Sequence, residues 1–331
     1  MNEYIVFGAL LVLALSFDFL NGFHDAANVV ATIIASRALS PRAALTLAAI
    51  CELLGPLLFG VAVAVTVGSE IVDPRSVTIT MVMAALVAAS SWNILTWWGG
   101  IPSSSSHALA GGLVGSAVAF GGLDVLRVEG VGKVALALFV SPVLGFMVGW
   151  LVLRLLFFLA RGATPRINQT FNRVQILTAG TLALSHGAND AQKTMGVITM
   201  GLVTLGFQER FYVPTWVVVV SAVAIALGTA AGGWRIIRTL GGKFYKIRPV
   251  HSLASQVGAA SVILGASLWG GPVSTTHVVS SAIVGVGAAQ RRSQVRWLHL
   301  MDILVAWAIT VPVTALLGSA IYLGFRLVLG A

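Results

Sequence analysis

Apolar residues run along this chain in blocks that suit a helix crossing a bilayer, roughly 20 residues each, with charge collected in the short gaps between them. The first block runs from Tyr4 to about Ser36, and the second from Ala43 to Val67, ending at Glu70 and Asp73. Further blocks cover Val77 to Trp98, Ala108 to Phe120 and Val134 to Phe158. The pattern resumes at Val174, continues over Val213 to Ala231, and closes with Leu300 to Leu329. It predicts an all-α polytopic membrane protein. No convincing cleavage site follows the first block, so it is expected to stay as a helix.

Two blocks carry polar groups at membrane depth. The first holds Asn21-Gly22-Phe23-His24-Asp25-Ala26-Ala27-Asn28; the second holds Ser185-His186-Gly187-Ala188-Asn189-Asp190-Ala191-Gln192-Lys193. With Gly22 placed on Gly187, Asp25 falls on Asp190, His24 on Asn189 and Asn28 on Lys193. An acid at the bilayer centre costs ~2.5–3.5 kcal/mol on insertion scales and persists when it faces a partner or a water-filled cavity. Two matched acids predict one site built from two halves, and the first block is expected to be a broken helix. A second pair of landmarks follows in the same order: Gly99-Gly100-Ile101-Pro102-Ser103-Ser104-Ser105-Ser106-His107, then Gly270-Gly271-Pro272-Val273-Ser274-Thr275-Thr276-His277. Asp25 precedes His107 by 82 residues and Asp190 precedes His277 by 87, which predicts an internal duplication. Residues 1–158 form the first repeat, 159–173 a basic cytoplasmic connector with Arg161, Arg166 and Arg173, and 174–331 the second repeat.

Charge in the gaps orients the copies. The gap after the Asp25 block is basic (Arg37, Arg42), and those around the first Ser-rich stretch carry acids. In the second half, basic gaps (Arg235, Arg238, Lys243, Lys246 and Arg248, then Arg291, Arg292 and Arg296) flank the Ser/Thr-rich stretch. Basic loops stay cytoplasmic, so the copies cross a cell membrane in opposite senses, with both termini outside. Inverted repeats with discontinuous or re-entrant helices characterise secondary transporters, which bind substrate near the midplane.

Composition narrows this further. Hydrophobic residues are 57% and charged residues 9% of the chain, against roughly 25% charged in soluble domains, and mean hydropathy is +0.94. The net charge of +9 sits in the short loops, so it reads as a topology signal and not as a nucleic-acid surface. A lone Cys51 excludes an internal disulfide and a Cys-based metal centre.

The candidate chemistry is that of an oxyanion with a counter-ion. A helix restarting after each Gly/Pro break presents free N–H groups and a positive dipole end, and Ser103, Ser104, Ser105, Ser106, Ser274, Thr275 and Thr276 add hydroxyl donors. Asn28, Asn189 and Lys193 add amide and ammonium donors. Asp25 and Asp190 make poor partners for an anion and good ones for a coupling cation or proton, with His24 and Gln192 beside them. His107, His186 and His277 are further proton-relay candidates, each with hydrogen-bonded packing as its ordinary role. Glu52 is a lesser helper, with no acid to match it in the second half. A fixed metal site, a cofactor and an enzymatic role are not expected.

At these residues the chain resembles the inorganic phosphate transporter (PiT) family. The likeness covers nearly the whole chain and rests on Gly22-Phe23-His24-Asp25, Ser185 through Asp190 and both Ser/Thr-His stretches. It implies secondary transport of inorganic phosphate driven by H+ or Na+, with Asp25, Asn28, Asn189 and Asp190 handling cation and phosphate. His24 stands where the family usually has Asn, and Gln192-Lys193 replaces Ala-Asn. These variants resemble the bacterial low-affinity branch, which implies proton symport and uptake of phosphate with a divalent metal. Lys193 would then stand in for one sodium ion. Membrane lipid and a second copy of the chain, as a homodimer, complete the expected partners. The competing readings are a sulfate or other tetrahedral-oxyanion permease, an intramembrane aspartyl protease and a passive anion channel.

Overall fold

The computed structural model describes residues 2–72, 76–242 and 244–329, so Asp73 and Lys243 lie outside the described residues. Twelve α-helices are present among them, and the second six repeat the first six in order. α1 (Glu3–Ala35) answers to α7 (Ile167–Thr204), and α2 (Pro41–Leu58) to α8 (Thr215–Ala231). The short α3 (Ala62–Val65), extended by a wide turn at Thr66–Glu70, answers to α9 (Trp234–Gly242). α4 (Ile79–Gly99) answers to α10 (Pro249–Leu268), α5 (Ser105–Gly121) to α11 (Thr275–Arg291), and α6 (Val128–Leu159) to α12 (Trp297–Leu329). α5 and α11 are both 17 residues long, and α6 and α12 each carry one internal proline, Pro142 and Pro312.

The halves interlock. α6 packs on α10 and α11 of the second half, while α12 packs on α4 and α5 of the first. α1 packs on α8 and α2 on α7. Glycine lets these backbones touch, and the contacts match between halves. Gly22 abuts the Ile225 carbonyl as Gly187 abuts that of Glu52. Gly228 fits between Phe19 and Phe23 as Gly55 fits between Leu184 and Ala188. By this register Glu52 corresponds to Ile225, so the second half has no acid there. The two signature helices run antiparallel: Leu10 meets Gly201, and Asp25 faces His186. That is the relation an inverted pair requires.

Among the described residues, five helices are long and apolar enough to cross a membrane, or six if α8 and α9, bent by 70°, count as one span. Large side chains on α6 and α12 point outward and stay exposed, Phe139 at 76% and Leu298 at 83% among them. Lipid is the medium in which such faces are stable.

Several expected boundaries move. α1 is one continuous helix of 33 residues where a break was expected at the Asp25 stretch. The stretch has no proline, and its Gly22 serves close packing on α8, so the intrahelical bonds continue. The run Ala43 to Val67 is instead divided after Leu58, at Gly60, whose φ of +79° suits glycine. α7 begins at Ile167, which makes Arg173 helical and shortens the connector to 160–166. Arg235 and Arg238 lie on α9, so the basic gap is partly helical. Both Ser/Thr-rich breaks occur as expected.

A methyl group at Gly22 or Gly187 meets backbone, which cannot give way as a side-chain tip can. Gly22→Ala and Gly187→Ala are each expected to destabilise by about 1–3 kcal/mol, whereas Gly8→Ala, with nothing within 4 Å, stays within about 0.5 kcal/mol. Thermal unfolding of the detergent-solubilised variants checks this.

Candidate functional site

Each Ser/Thr-rich break ends in a capped helix start. The Ser104 hydroxyl accepts from the His107 backbone N–H at 3.2 Å, and Ser274 accepts from that of His277, also at 3.2 Å. The caps satisfy one orphan donor each and leave the other first-turn N–H groups of α5 and α11 without intrahelical partners. The two starts meet: the Ser106 hydroxyl donates to the Val273 carbonyl at 3.2 Å. Two positive dipole ends therefore converge at one place.

The signature helices cross beside them, and the hydrogen bonds run between halves. Asn28 of α1 donates to the Thr276 hydroxyl at 3.0 Å, and Thr276 donates to Asp25 Oδ1 at 3.1 Å. In mirror fashion Lys193 of α7 donates to the Ser106 hydroxyl at 2.6 Å. Lys193 Nζ also bonds the Val273 carbonyl at 3.2 Å and pairs closely with Asp190. Thr275 donates to the other oxygen of Asp190 at 3.0 Å. Asp25, Asn28, Asp190 and Lys193 are all 2% exposed or less.

A histidine joins the carboxylates. His186 Nε2 lies 3.3 Å from Asp190 and 4.0 Å from Asp25, and Nδ1 lies 2.9 Å from Glu52. The Thr229 hydroxyl closes on the other oxygen of Glu52. Asp25, His186 and Asp190 each offer one ligand atom, all within 4.8 Å of one another, which is a three-point cradle for a cation.

The remaining expected residues differ in how they stand to this centre. His24 sits 2.7 Å from Asp25 Oδ1 and turns its other nitrogen to the Thr96 hydroxyl, at 3.2 Å; that hydroxyl accepts from Ser103 at 2.7 Å. Asn189 reaches sideways to Ser267 at 2.9 Å and to the Gly271 carbonyl at 3.2 Å, bracing the second break. Gln192 does not face the centre. Its oxygen accepts from the Val63 N–H at 2.8 Å and its nitrogen donates to the Ala188 carbonyl at 2.6 Å, so it anchors α3. Ser105 is buried, and among the described residues its hydroxyl has no hydrogen-bond partner. Farther out, the rings of His107 and His277 lie 4.3 Å apart, and His277 stacks on Trp307 at 3.7 Å.

The pattern of the phosphate transporter family matches this chain twice, over residues 21–166 and 158–318. The chain belongs to the phosphate transporter family. Among its relatives, a probable low-affinity inorganic phosphate transporter of Bacillus subtilis (strain 168) is 43% identical, over 97% of this chain and 98% of that one. A protein of the same description from Rhizobium meliloti (strain 1021) is 46% identical, over 96% of each. In fold, the transporter is similar to a solved structure described as the sodium-dependent phosphate transporter, with a TM-score of 0.90 over 98% of this chain and 100% of that one, at 24% identity.

Reading the sequence of this transporter missed the weight carried by Glu52 and His186. Both were visible as polar groups in apolar runs. Their meeting was not, because it depends on α2 lying against α7. Thr96 and Thr229 carried no signal, since lone threonines in apolar helices usually bond their own backbone.

Truncating Lys193 leaves Asp190 buried without its cation. Lys193→Met is expected to cost about 3–5 kcal/mol, and adding Asp190→Asn to it should restore most of that stability. Thermal unfolding of the single and double variants tests the pair.

Proposed function

We propose that this transporter imports inorganic phosphate by cation symport, with H+ favoured over Na+. The observation that carries the reading is the meeting of two helix starts with two facing carboxylates, Asp25 and Asp190, and the His186 between them. The helix starts offer N–H and hydroxyl donors suited to a tetrahedral oxyanion. Beside them, Asp25, Asp190 and Glu52 repel that anion unless positive charge enters with it. Coupling follows from this repulsion. Hydrogenphosphate can also donate a hydrogen bond to a carboxylate, which sulfate cannot, and this favours phosphate over sulfate.

Lys193 favours the proton. Its ammonium group stands where the first half has Asn28 and already fills the cation position beside Asp190. Loading a proton onto the carboxylate group frees Lys193 to turn from Asp190 to a phosphate oxygen on Ser106. Substrate and coupling ion thus load together. The cradle of Asp25, His186 and Asp190 suits a divalent metal carried with phosphate as a neutral complex. The interlocked inverted halves support alternating access about this centre, in a plasma membrane with the basic loops inside and both termini outside.

Purified protein in liposomes should accumulate radiolabelled phosphate under an inward proton gradient, resist excess sulfate, and lose uptake at least ~100-fold in Asp25→Asn and Asp190→Asn. A strict requirement for sodium would overturn the role given to Lys193. Uptake of sulfate without phosphate would overturn the substrate.

A further inference from the structure

The centre described above leaves one buried acid unused. Asp18 lies two turns before Asp25 on the same face of α1 and is fully buried. Among the described residues, no hydrogen-bond partner reaches either of its carboxylate oxygens. It faces Thr194 of α7 without closing a hydrogen bond, and the charged groups within electrostatic reach are Asp190, Lys193 and Glu52.

Two amides accompany it. Asn21, one turn along α1, and Asn93 of α4 are 0% and 1% exposed, and among the described residues both polar atoms of each side chain lack partners. The helix register brings them to one level. α1 and α7 pass antiparallel, so Leu10 meets Gly201, Asp18 faces Thr194 and Asp25 faces His186. α4 runs alongside α1, with Ile79 at the Gly201 end and Thr96 at His24, so one turn before Thr96 the helix register puts Asn93 at the level of Asn21. Asn93 also shares the α1-facing side of α4 with Thr96, three residues on. The repeat supplies no equivalent: the positions matching Asp18 and Asn93 are Ala183 and Ile263. Buried polar atoms are nearly always satisfied by protein, water or an ion, and four such side chains in one layer ask for a common partner.

We propose that Asp18, Asn21, Asn93 and Thr194 form an accessory alkali-cation site, separate from the Asp25–Asp190 centre. The donors available are a carboxylate, two amide oxygens and a hydroxyl, all hard oxygen ligands and none a nitrogen or sulfur, which is the set that suits a hard cation. Tight helix packing around them selects a small ion, Na+ or Li+ over K+. Lys193 fills the cation position beside Asp190, whereas no side chain of this cluster carries a positive charge, which leaves the Asp18 carboxylate open to an ion. The proposal rests on the cation-coupled reading above, but its readout is binding to the purified protein, so the two stand or fall separately.

The test is thermal unfolding of the detergent-solubilised full chain, titrated with NaCl against KCl at constant ionic strength and pH, without phosphate. Saturating Na+ is expected to raise the unfolding temperature by about 2–4 °C, with K+ without effect. Asp25→Asn should keep the response, and the near-isosteric Asp18→Asn should abolish it. Asn93→Ala, which keeps the carboxylate if Asp18→Asn does not fold, should raise the half-saturating Na+ about tenfold. A response that persists in Asp18→Asn, or is lost in Asp25→Asn, overturns the site, as does stabilisation by acid with none by Na+.

Discussion

Three carboxylates, Asp25, Glu52 and Asp190, lie almost fully buried at the middle of a bundle whose outer faces are apolar, and the rest of the structure is arranged around that charge. In such surroundings an isolated carboxylate is too expensive to persist. The chain compensates with one lysine and two histidines, His24 and His186, all of them buried, and with threonine hydroxyls aimed at each acid. The balance is local: Lys193 and Thr275 serve Asp190, Thr229 serves Glu52, and Thr276 and His24 serve Asp25. Every one of these partners except His24 comes from another helix or from the next turn, so the polar centre is formed only when the bundle closes. A buried ion pair of this kind adds little net stability against an apolar substitute. Its presence at this depth therefore points to use, not to folding.

The second constraint is distance. Hydroxyls on α5 and α11 reach the signature helices because the helices themselves lie backbone to backbone, and glycine makes that approach. Gly22 and Gly187 fall within three residues of Asp25 and Asp190, so the residue that permits the close crossing and the buried acid travel together. The matched contacts of Gly228 and Gly55 show that the two halves share one packing solution. On that shared frame the differences stand out. Asn28 against Lys193, and Ile225 against Glu52, change charge while leaving the packing register intact.

How much was legible in the sequence follows from the same physics. Acids, amides and paired hydroxyl runs at membrane depth are costly enough to be visible against apolar blocks, and the duplication doubled the signal. Hence Asp25, Asn28, Ser106, Asp190, Lys193, Thr275 and Thr276 could be singled out, and the structure brings those seven together. Partners set by tertiary crossing were beyond reach. Gln192 looked equivalent to its polar neighbours, yet one residue is 100° of helix, and that rotation carries it from the centre to the Val63 backbone. The continuity of α1 is hidden in the sequence for a related reason: a glycine in a polar stretch suggests a break, and only the neighbouring Ile225 carbonyl shows that it is a packing site.

Symmetry and function pull in different directions here. Two identical halves would place like charges opposite one another: two acids with two amides, and no lysine. The substitution at position 193 breaks that deadlock, because a fixed ammonium group tied to Asp190 and Ser106 leaves the two carboxylates unequal. Asp25, without such a partner, stays paired to His24 and reachable from His186; Asp190 is held. Where the packing register matches Glu52 with Ile225 and Asn28 with Lys193, the two halves share a backbone frame and differ in charge, and that difference makes the centre electrostatically unequal.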